Sequence, residues 1–164
     1  MDSEVSRTRD LTRRPRFGLD SNCVIALLSE WHFHHRVTLS CYQHLLEGGW
    51  TPVVPIHVIL ESFSVLTRVP VPYRLPPEAA SLAIEQTFAK TAIVGDLAAE
   101  TAWTTLAALA QRGLGGGKIY DALIAASAAA SGATVLLTWD VKHLVAIAPP
   151  SLEVREPSSR PRFG

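Results

Sequence analysis

The stretch KIYDALIAASAAASGATVLLTWDVKHL, residues 118–144, decides the fold. Its first half runs from Lys118 to Ser131 without a breaker and is rich in Ala, which predicts a helix. Asp121 falls in its first turn, where the positive end of the helix dipole favours a carboxylate. Gly132 stops that helix. ATVLLT then reads as a buried strand, because its apolar run is continuous rather than alternating, as expected for a parallel strand covered on both faces. It delivers Thr138 and Asp140 at its carboxyl end.

The same grammar recurs on either side. Residues 16–19 predict a short strand ending in Asp20, and Ser21 or Asn22 is expected to cap a helix that carries Val24, Ile25, Leu27 and Leu28. A helix over 34–47 stops at Gly48-Gly49, and TPVVP (51–55) is a short strand. Ile56, Ile59, Leu60, Phe63 and Leu66 follow at helical spacing, which puts Glu61 on a helix flank. VPVPYRLPP (69–77) is a loop that no helix crosses. Beyond it a helix is expected over 78–89, a strand at TAIVG (91–95) and a helix over 97–112 broken by RGLGGGK. SLEVRE (151–156) ends the series as an edge strand. Strand and helix in alternation predict a single α/β domain, a doubly wound parallel sheet flanked by helices. The expected boundaries are a basic flexible leader over 1–15, the domain over 16–157 and a flexible tail over 158–164. RPRFG occurs at both 14–18 and 160–164, and its chemistry assigns it no role.

With 48% hydrophobic and 18% charged residues in a chain of 164, one substantial core is expected and disorder is excluded. The net charge is zero, yet residues 18–150 hold 7 Lys/Arg against 10 Asp/Glu, so the core is at −3 and the flanks at +3. A polyanionic partner would therefore be met by local basic patches or by the Arg-rich leader. No apolar run reaches the ~18 residues of a membrane span, and MDSEVSRTRD lacks the hydrophobic stretch of a signal peptide. A cytoplasmic protein without membrane contact is expected. Cys23 and Cys41 have neither C-x-x-C spacing nor company, and read as reduced structural thiols.

Four acids stand in apolar surroundings: Asp20, Glu61, Asp121 and Asp140. An ionised carboxylate buried without a partner costs several kcal/mol or stays protonated, so four in one apolar chain imply a shared cation. Oxygen donors without a Cys or His pair at ligand spacing favour Mg²⁺ or Mn²⁺ over zinc. Such a site clamps phosphate oxygens and activates water for in-line attack, which points to phosphodiester hydrolysis.

The pattern LDSN (19–22), an acid within an apolar helix, GGKIYDALIAA (116–126) and LLTWDVKHL (136–144) resembles the PIN-domain ribonucleases, specifically VapC-type toxins of toxin–antitoxin pairs. The resemblance covers about residues 17–155. It implies a PIN fold, Mg²⁺- or Mn²⁺-dependent endoribonuclease activity on a structured RNA such as a tRNA or rRNA loop, a VapB-like antitoxin partner and a homodimer. Carried over by position, Asp20, Glu61, Asp121 and Asp140 match the family's acidic quartet. Ser21 and Asn22 match the polar pair after the first acid, and Thr138 the hydroxyl before the last.

Each residue also has a plainer role. Asp20 could be an N-cap, Glu61 a solvated helix flank, Asp121 a dipole partner and Asp140 a turn starter. Thr138 could position water or a neighbouring ligand, or only bond backbone. His32, His34 and His35 read as solvent or partner surface and His143 as structural, though His143 could contact phosphate. Trp139 could stack a base. Arg68, Arg112 and Lys118 are candidate phosphate contacts or solvated cations. A P-loop is excluded, because G-x-x-x-x-G-K-[ST] would require Gly at 112 and Ser or Thr at 119, which are Arg112 and Ile119. Two other functions stay open: a non-catalytic PIN-like binding module, which intact acids argue against, and a receiver-like phosphoacceptor domain with Asp96 as its acceptor.

Overall fold

The computed structural model describes residues 14–163, so the leader expected over 1–15 lies outside the described residues but for Arg14 and Pro15. The elements run β1 (Arg16–Leu19), α1 (Ser21–Leu28), α2 (His35–Glu47), β2 (Thr51–Pro55), α3 (Ile56–Leu66), α4 (Pro77–Phe88), β3 (Ile93–Gly95), a 3₁₀ turn (Ala99–Thr101), α5 (Ala102–Gln111), α6 (Lys118–Ala130), β4 (Val135–Leu137), α7 (Val141–Val145) and β5 (Glu153–Arg155). The sheet order is β3-β2-β1-β4-β5, and every neighbouring pair is parallel. This is the doubly wound α/β domain expected. The order reverses between β1 and β4, and ligands of such sheets bind beyond the carboxyl ends of the strands at that reversal.

Alternation along the strands feeds two cores. Phe17 and Leu19, Val54, and Val135 and Leu137 face one layer with α1 to α4. Val53 and Leu136 face the other, with Ala122, Ala125 and Ala128 of α6 and Leu144 of α7. Gly18 is the contact point of β1 with α6: a Cβ there would stand 2.9 Å from Leu136 Cδ1 and 3.0 Å from the Ala128 methyl. The Ala-rich composition of α6 thus lets the helix backbone close down on the central strand. Cys23 and Cys41 are free and buried.

Three boundaries differ from the sequence expectation. The helix expected over 97–112 begins as a 3₁₀ turn at Ala99, because the Asp96 carboxylate accepts from Leu97 N (2.8 Å) and offers the backbone an alternative to helical bonding. TAIVG is a strand only from Ile93, since Thr91 N and Ala92 N still bond back to Phe88 O. The tail beyond Pro157, expected to be flexible, is packed over its described part. Phe163 meets Trp50 edge-on at 5.4 Å between ring centroids, Arg155 lies over the Phe163 ring, and Arg155 Nη1 donates to Arg162 O at 3.1 Å. Phe163 is covering the apolar flank of the larger core, which gives this segment a reason to dock.

Candidate active site

The chain turns sharply at Asp20. Asp20 N is held by Leu137 O across the sheet (3.0 Å), and Ser21 N donates to Asp20 Oδ1 (2.7 Å). Asp20, rather than Ser21 or Asn22, is therefore the N-cap of α1, and its second oxygen is free for other bonds. Thr138 Oγ1 donates to Asp20 Oδ2 (2.8 Å) and Asn22 Nδ2 donates to the same oxygen (2.9 Å). Thr138 Oγ1 also accepts from Asp140 N (2.9 Å) and from Asn22 Nδ2 (3.1 Å), and Asn22 Oδ1 accepts from Trp139 N (3.0 Å). The carboxyl ends of β1 and β4 are tied into one network.

Asp20, Glu61, Asp121 and Asp140 line a single pocket of about 210 Å³ together with Ser21, Asn22, Ile25 and Leu144. Glu61 comes from the middle of α3, and the Ser21 hydroxyl donates to its Oε2. Asp121 comes from the first turn of α6. Asp140 precedes α7, and both its oxygens meet His143 Nδ1 at 2.7 and 2.8 Å. Thr138 is fully buried behind the pocket.

Burial pushes the Asp20 carboxyl from 3.8 up to about 6, against its bonds from Thr138 and Ser21, while the charges of Asp121 and Glu61 raise it further. Burial also raises Asp121, with the charges of Asp140 and Glu61 adding to it and His143 and His57 working against it. The pocket thus gathers negative charge that His143 and His57 offset only in part, and a cation there would relieve it. Among the described residues no group of three or more His, Cys, Asp and Glu side chains is drawn together closely enough to hold a metal ion as it stands.

The other candidates separate. Arg112 Nη2 donates to Ile147 O (3.0 Å), near the carboxyl end of α7, and has a structural use there. Arg68 and Lys118 are exposed and do not line the pocket. Trp139 donates Nε1 to Thr38 Oγ1 (3.0 Å) and stacks on His34, with ring centroids 3.7 Å apart at 11°. Asp96 bonds its own backbone and lines a different surface depression with Leu97 and Leu106, away from the acids. His57 and Tyr120 drew no notice in the sequence; their rings stack at 5.2 Å and 7° beside the site. The spacing of His57 to Glu61, one helical turn, and the adjacency of Tyr120 to Asp121 are the signals that could have found them.

A parallel sheet that gathers acids at its switch point defines a doubly wound α/β domain with a polar crevice. The PIN domain family model matches residues 18–147, and the chain belongs to that family. It is 31% identical over 116 residues to Ribonuclease VapC27 of Mycobacterium tuberculosis, covering 71% of this chain and 79% of the relative. To Ribonuclease VapC40 of the same organism it is 29% identical over 126 residues, 75% of this chain and 85% of the relative. Among solved structures, VapBC2 from Rickettsia felis bound to a DNA fragment from its promoter superposes with a TM-score of 0.60 at 21% identity, covering 86% of this chain and 98% of that one. Mycobacterium tuberculosis VapC20, a Sarcin-Ricin loop cleaving toxin, gives 0.60 at 17% identity, covering 79% and 94%. The resemblance to VapC-type members read from LDSN, GGKIYDAL and LLTWDVKHL therefore holds.

Proposed function

We propose that the chain is a Mg²⁺- or Mn²⁺-dependent endoribonuclease, the toxin of a toxin–antitoxin pair. The observation that carries this reading is the convergence of Asp20, Glu61, Asp121 and Asp140 on one pocket at the sheet's switch point. The names of the relatives, ribonucleases VapC27 and VapC40, support the reaction class. That VapC20 cleaves the Sarcin-Ricin loop supports a structured RNA with an unpaired loop, from rRNA or tRNA, as substrate.

The four carboxylates would hold the ion, which when bound neutralises phosphate charge and acidifies a water for in-line attack. The remaining work falls to the chain. Thr138 and Asn22 fix the Asp20 carboxylate, Ser21 fixes Glu61, and His143 fixes Asp140. No side chain is required as nucleophile. A partner is supported by the solved VapBC complexes and by an apolar groove between α3 and α4, lined by Ile59, Leu60, Phe63, Ile84, Phe88 and Val94. A VapB-like antitoxin and a second copy of the chain are the proposed occupants of such surface. No helix among the described residues is long and apolar enough to cross a membrane, and a cytoplasmic site of action fits an RNA target.

The test is incubation with total cellular RNA in Mg²⁺, in Mn²⁺ and in EDTA, beside Asp20→Ala, with new RNA ends mapped by sequencing. Discrete metal-dependent cuts lost in the variant are expected. A folded protein that binds metal yet makes no cuts would transfer the function to a non-catalytic binding module.

A further inference from the structure

A continuous run of rings leads away from the acidic pocket. It begins at Trp139, next to Asp140 and bonded through its backbone N to Asn22. His34 stacks on Trp139, His32 lies 5.7 Å from His34, Trp31 5.8 Å from His32, and Tyr73 4.7 Å from Trp31 at 32°. Phe33 meets His34 edge-on at 5.0 Å. The base of the run is fixed: Trp139 Nε1 bonds Thr38, His34 N donates to His32 Nδ1 (3.1 Å), and His35 Nδ1 bonds Ala26 O (2.9 Å). Its outer end is open to solvent, with Phe33 93%, Tyr73 47% and Trp31 43% exposed.

Such exposure needs a reason. Of five exposed aromatic rings among the described residues, three belong to this patch. A Phe exposed over nearly all its surface contributes almost nothing to folding. Exposed aromatic rings carried on a bonded support are, however, what an unpaired base stacks upon, because every base has a π-face. Arg36 and Arg74, three residues after Phe33 and one after Tyr73, are exposed cations of the kind that meets a ribose-phosphate backbone; Arg74 Nε donates to Val69 O (3.0 Å), and the exposed acid Glu30 precedes Trp31.

We propose that Phe33, Trp31 and Tyr73, carried on the run of rings through His32, His34 and Trp139, form a platform that binds unpaired bases of the RNA segment leading away from the scissile phosphate. This rests on the ribonuclease reading and adds to it a determinant of which RNA is held: a single-stranded segment with bases splayed outward, gripped by stacking rather than by base-edge readout. The platform selects unpaired over duplex RNA, since bases within a helix cannot present their faces.

The experiment uses the full chain carrying Asp20→Asn in Mg²⁺, so that bound RNA survives. Two fluorescent probes of equal charge are compared by anisotropy: an oligoadenylate of about twelve nucleotides, within the usual range of single-strand site sizes, and an abasic strand of the same length. The oligoadenylate should bind tighter by about tenfold per stacked base and quench tryptophan emission. Phe33→Ala and Trp31→Ala should each bring the two affinities together, and Phe33→Leu should do so too, because it keeps apolar area but loses the ring. The near-complete exposure of Phe33 means that its variants fold, which a melting curve verifies. Equal affinity for the two probes, or oligoadenylate binding unchanged in the variants, overturns the platform. So does release of a co-purifying protein by Phe33→Ala with oligoadenylate affinity intact, which assigns the patch to a protein partner. The nuclease reading fails separately: base-dependent binding in a protein that makes no metal-dependent cuts leaves the platform standing and removes the nuclease.

Discussion

The Thr138 hydroxyl lies 2.8 Å from Asp20 Oδ2 and spends its one proton there, while its lone pairs take Asp140 N and Asn22 Nδ2. One hydroxyl thus bonds both the backbone at Asp140 and the Asp20 carboxylate. Replacing it by Val keeps the shape but takes one hydrogen bond each from the buried Asp20 carboxylate, the Asp140 N–H and the Asn22 amide. Thr138→Val is expected to lower stability by about 1–3 kcal/mol and metal affinity by roughly 10- to 100-fold. Urea unfolding and metal titration check both; unchanged metal affinity would leave Thr138 a structural residue only.

Asp121→Ala removes the acid that α6 presents and lessens the pocket's negative charge. Cleavage should be abolished, and Mg²⁺ should raise the melting temperature of the wild type but not of the variant. Equal stabilisation of both proteins would refute the assignment of the metal to this pocket.

The raised Asp20 carboxyl makes stability depend on pH in a defined direction. With a folded value of about 6 against 3.8 unfolded, the folded protein holds the proton more tightly. That contribution is complete below the unfolded value and lost as pH rises through the folded one. A shift of this size is worth about 3 kcal/mol. In EDTA the melting temperature should therefore fall between about pH 4 and pH 6.5, the fall should be smaller in Asp20→Asn, and Mg²⁺ at pH 7 should restore it. Parallel pH profiles for the two proteins in EDTA would contradict the buried-acid account.

Gly18 packs closely against both β4 and α6. Adding one methyl in Gly18→Ala brings it to 2.9 Å from Leu136 Cδ1, and overpacking of this kind costs about 1–3 kcal/mol. A denaturant midpoint equal to the wild type would mean that α6 is free to move outward.

The charge split between core and flanks predicts a role for the first residues. A chain starting at Arg16 should bind RNA more weakly and with a shallower salt dependence, because fewer counterions are released. An unchanged slope would exclude the leader as a phosphate-binding arm.

Much of this was readable in the residues because the signals were local. β4 announces itself as VLL between Gly132 and Asp140, and α6 as an unbroken Ala-rich run. The switch point followed from the order of strands and helices. The convergence of the acids required the fold: Glu61 is an exposed helix residue, and only the bond from Ser21 and the shared pocket connect it with Asp20. The docking of Phe163 on Trp50 joins residues more than a hundred positions apart, with only one ring in a Pro- and Ser-rich stretch to signal it. The ring stack likewise depends on where the loop after α1 meets Trp139, which no periodicity encodes.

The hydrogen bonds that tie Asp20 and Asn22 to Thr138 and Trp139 span 116 to 118 residues. A polypeptide leaving the ribosome therefore carries Asp20 and Glu61 long before it has the strand that organises them, and β4 must insert beside β1 before the crevice exists. Until more than a hundred further residues have been added, the growing chain has acids but no assembled crevice, so any activity of the site begins only with the nearly complete domain.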